Sequence, residues 1–100
     1  MDLDKIAEQL KIKIIRIEED YIPNTKSRGR ARWNYDEKIG EIELSKKADD
    51  KTEAHEIGHI VNFIIGKGHK YSDKLNISSE DFADIIAEFL IVMAKGKFRK

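Results

Sequence analysis

Cysteine is missing from this 100-residue chain, which excludes disulfides and thiolate ligands and leaves His, Asp and Glu as its only strong metal ligands. An excess of one charge is missing too, since 19 Lys and Arg balance 19 Asp and Glu. No overall field then draws the chain to an anionic membrane or a nucleic acid, and nucleic acid is not expected among its partners. Long apolar runs are absent. The longest, "NFII" and "FLIVMA", are far too short to span a bilayer, and the N-terminal "MDLDKIAEQL" is acidic and amphipathic without a signal-like apolar core, so a cytoplasmic location is expected. What is present, 40% hydrophobic and 38% charged residues, fits one small domain over residues 1–100 with a modest core that a bound metal can reinforce.

Leu3, Ile6, Ala7 and Leu10 recur at helical spacing behind Asp2, a good capping residue, which predicts a short helix over about residues 3–10. The β-branched "KIKIIRIEE" changes period, with Ile12, Ile14 and Arg16 on one side and Lys13, Ile15 and Ile17 on the other, and predicts a strand. "DYIPNTKSRGR" holds the only proline with turn-forming Asn, Ser and Gly, and reads as a loop. "ARWNYDEKIGEIELS" reads as two strands around a turn near Asp36 to Gly40, with Trp33 a core side chain and Ile42 and Leu44 alternating with Glu41 and Glu43. A helix is predicted from Asp49 or Asp50 to a glycine stop at Gly66, and a last helix from Ser78 or Ser79 to Gly96. "GKGHKYSDKLN" connects them, and a basic "KFRK" follows. The fold class is α+β, with a three-stranded, mostly antiparallel sheet.

Within the first long helix, "AHEIGH" places His55 and His59 four residues apart, so both imidazoles leave one face a turn apart and can reach one ion. Glu56 flanks them, where a carboxylate can hold and deprotonate a water at the ion. This is the H-E-x-x-H arrangement. Such a site needs a third protein ligand, and the metzincin positions hold Asn62 and Ile65. The last helix offers instead Glu80, Asp84 and Glu88 on one ridge, beside the small Ala83 and Ala87. Glu80 is the candidate ligand, and Asp84 the candidate acceptor of the free ring N–H of His55.

"AHEIGH" followed by "EDFAD" resembles the gluzincin scheme of H-E-x-x-H plus E-x-x-x-D. More narrowly, "TEAHEIGHIV" with "EDFADIIAEFLI" is similar to the ImmA/IrrE family of zinc peptidases, over roughly residues 40–93. The resemblance implies a minimal zincin-like domain, a Zn2+ ion on His55, His59 and Glu80, and a general base at Glu56. Family members usually carry Asn where this chain has Asp84, and they are generally longer.

The expected activity is that of a zinc metallopeptidase, an endopeptidase acting on an intracellular regulatory protein such as a repressor. Its alternative is a catalytically weak, metal-stabilised protein-binding module. His69 and Tyr71, in the connector, are the candidate oxyanion donors. Strand Glu41 to Leu44, as a sheet edge, is a candidate for binding substrate backbone by strand addition. Lys26, Arg28, Arg30 and Arg32 read as a solvated basic loop.

Overall fold

The computed structural model describes residues 2–95, so the "KFRK" tail and Gly96 lie outside the described residues. Helix α1 (Leu3–Gln9) starts where the Asp2 carboxylate accepts the Lys5 N–H at 2.8 Å, and it leads into strand β1 (Lys13–Arg16). Strands β2 (Gly29–Asn34) and β3 (Ile39–Leu44) form a hairpin. The Asn34 side chain closes its turn by accepting the N–H groups of Asp36 and Glu37, both at 2.9 Å. Helix α2 (Asp50–Ile65) begins where Asp49 accepts both the N–H and the hydroxyl of Thr52, at 2.9 and 2.8 Å. A short helix α3 (Tyr71–Leu75) lies in the predicted connector, and α4 (Ser79–Lys95) completes the fold. Asn62 fixes α3 in place: fully buried, it donates to the Ser72 hydroxyl at 3.0 Å and accepts the Ser72 N–H at 2.8 Å. No helix among the described residues is long and apolar enough to cross a membrane.

The sheet is mixed, in the order β1-β3-β2, which corrects the expectation of a mostly antiparallel one. β1 runs parallel to β3 with Ile14 opposite Ile42, while β2 runs antiparallel to β3. The parallel pairing requires a crossover, and residues 17–28 supply it, pinned by the fully buried Ile22. The order also makes β3 the central strand, so the edge beside the helices is β2 and not Glu41 to Leu44. Nor are Arg30 and Arg32 loop residues. They stand on β2, where Arg30 donates to Glu43 at 2.7 Å and Arg32 to Glu41 at 2.8 Å, each in a cross-strand ion pair.

Helix α2 packs on β2 and β3 with one side and along α4 with another, while α1 closes the end of this core. Ile42 and Leu44 from β3 meet Ala54, Ile57 and Ile60 from α2, Ala87 and Leu90 from α4, and Leu3 and Ile6 from α1. Trp33 packs against this cluster only partly buried.

Where α1 meets α2, Glu53 is 7% exposed and one of its carboxylate oxygens has no hydrogen-bond partner. Arg16 bonds Asp4 at 2.9 Å and reaches Glu53 only at 3.6 Å. Burial, reinforced by Asp4, raises the Glu53 carboxyl from 4.5 to about 7. A raised carboxyl means that the folded state holds the proton more tightly than the unfolded chain does. The contribution of Glu53 to stability therefore falls as pH rises from about 5 to about 7. Glu53→Gln is expected to be about 1–2 kcal/mol more stable than the parent near pH 8 and about equal to it near pH 4. Thermal unfolding of both proteins across that range measures the difference, and a difference that ignores pH would refute the assignment.

Candidate metal centre

The exposed ridge of α4 meets the histidine face of α2. His55 Nε2 lies 3.1 Å from His59 Nε2 and 3.0 Å from Glu80 Oε1, and His59 Nε2 lies 3.1 Å from Glu80 Oε2. On the other side of the first ring, His55 Nδ1 lies 2.8 Å from Asp84 Oδ1. Each ring nitrogen of His55 thus faces a carboxylate, Asp84 at Nδ1 and Glu80 at Nε2, and a cation at the centre would take the Nε2 lone pair while Asp84 accepts the Nδ1 proton. Burial holds His59 below the ordinary histidine value, with His55 and Lys70 adding to the effect against Glu80 and Asp84, which favours a neutral ring. Three electron-pair donors crowded together in this way repel one another unless a cation or protons lie among them.

The spacing suits a cation. Two ligands of a tetrahedral ion at about 2.0 Å stand about 3.3 Å apart, close to the separations here. His55, His59 and Glu80 can hold a metal ion, since one atom from each lies within 4.8 Å of the others. The donor set of two imidazoles and one carboxylate, with no thiolate, fits a divalent transition-metal ion such as zinc. Glu88, the third member of the ridge, is exposed and lies outside this group.

Gly58 sets the distance between the two helices. A Cβ there would stand 2.7 Å from the Ala83 carbonyl oxygen and 3.0 Å from Ala83 Cα, both backbone atoms that cannot swing aside. Gly58→Ala gains at most about 1 kcal/mol of helix propensity and is expected to lose about 1–3 kcal/mol to overpacking. Because Glu80 rides on α4, the same change should weaken metal affinity. A lower Tm together with weaker zinc binding is the expected pair of results, and a raised Tm would show that the helices part freely.

Glu56 lies against β2, within the field of His55 and of Glu80 on α4. A side chain at Gly29 would meet its Cγ at 2.9 Å, so the bare backbone of Gly29 lets the strand close over the carboxyl. Glu56 is 8% exposed. Burial raises its pKa from 4.5 to about 7, helped by the Glu80 charge and opposed by His55. A carboxyl near 7 can take up and give back a proton at neutral pH.

These groups lie in an open cleft of about 1150 Å³ between β2 and α4, with α2 along its floor. Of the sequence candidates His55, Glu56, His59, Glu80 and Asp84 all line it; His69 and Tyr71 do not. His69 is exposed, and Tyr71 packs edge-on to Phe82 with ring centres 6.4 Å apart. Lys70, between them, is the residue of that connector that enters the cleft, and only the turn before α3 puts it there. Gly29 was equally hidden, because its importance depends on a strand pairing that the sequence does not spell out. No known protein family, no curated protein and no solved structure matches the chain.

Proposed function

We propose that this chain is a zinc-dependent endopeptidase with a minimal zincin-like site. The observation that carries the reading is the convergence of His55, His59 and Glu80 donor atoms at 3.0–3.1 Å with a buried carboxyl alongside. Zinc held there supplies Lewis acidity, polarising a carbonyl and lowering the pKa of water toward about 7. Glu56 accepts the proton of the attacking water and passes it to the leaving amide nitrogen. Asp84 keeps the His55 ring in the tautomer that offers Nε2. The free edge of β2 lies where an extended peptide backbone can pair with it. By its resemblance to ImmA/IrrE peptidases, the natural substrate is an intracellular regulatory protein such as a repressor.

One observation favours the alternative, a metal-stabilised binding module: the ligands come from two helices, so an ion among them ties α2 to α4 whether or not chemistry follows. Glu56 separates the readings, since a purely structural site gains nothing from a base there. Hydrolysis of an unfolded protein substrate should require about one zinc per chain, stop on chelation and return with added zinc. Stoichiometric zinc without hydrolysis would leave the binding module.

A further inference from the structure

The cleft has two chemically different ends, and α2 orders them. Lys51 lies at its first turn, the metal ligands follow, and Phe63 lies in its last turn. Strand β2 runs alongside in the same sense, because Gly29 meets Thr52 and Glu56 while Trp33 stacks on Phe63 with ring centres 5.5 Å apart. The preceding loop thus brings Lys26 and Arg28 to the same end as Lys51. At the other end Tyr35, 65% exposed, stands edge-on to Phe63 at 5.9 Å and extends the aromatic surface, while Lys70, past the end of α2, adds one charge whose field reaches His59.

Arg30 and Arg32 are consumed by Glu43 and Glu41. Lys26, Arg28 and Lys51 make no ion pair among the described residues of the cleft. Carboxylates oppose them: Asp49, which caps α2, lies within the field of Arg28, and Glu88 stands on the opposite wall. The positive end of the α2 dipole adds to the cationic side of the balance.

We propose that the cleft takes an extended peptide with an acidic segment over Lys26, Arg28 and Lys51 and a large apolar side chain over Trp33, Tyr35 and Phe63, the two lying on opposite sides of the metal. The inference rests on the peptidase reading for its chemistry, but it concerns recognition and can be tested without turnover. Contacts between exposed charges are weak singly and add up over three cations, and they are screened by salt, whereas burial of an apolar side chain is not.

Binding of fluorescent peptides to zinc-loaded Glu56→Gln protein provides the test. A peptide with two Glu and one Phe flanking the central residues should bind about tenfold tighter than its Gln analogue at about 0.05 M salt, and the gap should close toward about 0.5 M. Replacing Phe by Ala should weaken binding at both salt concentrations. Arg28→Glu with Lys51→Glu should invert the charge preference, favouring the Lys analogue. Equal binding of the Glu, Gln and Lys peptides, a preference unmoved by the double reversal, or no binding by any of them would overturn the proposal. Hydrolysis by the parent protein separates the two readings: charge selectivity without turnover refutes the peptidase alone, and turnover without selectivity refutes this inference alone.

Discussion

Glu56→Gln is expected to keep one zinc per chain and the parental fold while losing peptide hydrolysis about a hundred- to ten-thousand-fold. The amide keeps the shape of the carboxyl in the space left by Gly29, so β2 need not move. It cannot accept a proton from water. On the proposed mechanism the effect should fall on kcat, with KM little changed, because the peptide contacts proposed above lie elsewhere in the cleft. Removing the buried acid also removes a group that folding disfavours in its ionised form, so near pH 8 the variant should be at least as stable as the parent. Loss of zinc from this variant, with a full complement in the parent, would make Glu56 a ligand and not a base.

Zinc itself is expected to produce the largest change in stability. The residues that can hold a metal ion stand on α2 and α4, which the unfolded chain does not keep together, so binding free energy would appear as folding free energy. At free zinc about a thousand times Kd the gain is about 4 kcal/mol, or about 15–30 °C in Tm for a domain of this size. His59→Ala should abolish that shift. Glu80→Ala should shrink it by far more than Glu88→Ala, because the Glu80 oxygens lie 3.0 and 3.1 Å from the two Nε2 atoms and Glu88 lies outside the group. Calorimetric scans with and without zinc measure all three. A greater loss from Glu88→Ala would place the ion about two turns further along α4.

The helices were legible because their signals are local. Asp49 caps α2 where an acid precedes the apolar period, and His55, Glu56 and His59 share a helix, so their spacing alone brings them together. Glu80 was reachable from its ridge and from the family resemblance. The sheet was harder. Strand β1 carries isoleucines on both sides, a pattern suited to a parallel strand, yet nothing local states that residues 17–28 cross to the far edge. That one unread connection made β3 look like an edge and Arg30 and Arg32 look like loop residues, when Glu41 and Glu43 neutralise them across the hairpin. α3 escaped because Asn62, ten residues upstream, holds it through a buried hydrogen-bond pair.

Trp33 is the chain's only tryptophan, it lies against Phe63 with ring planes 4° apart, and it lines the cleft away from the first turn of α2. Tryptophan emission, excited at wavelengths where the tyrosines do not absorb, therefore comes from one indole at one end of the groove. A ligand seated on the aromatic end changes the solvent around that emitter and shifts its spectrum, while one held only at the cationic end leaves it nearly unchanged. The fold thus carries its own optical reporter, which distinguishes where a molecule sits as well as whether it is bound.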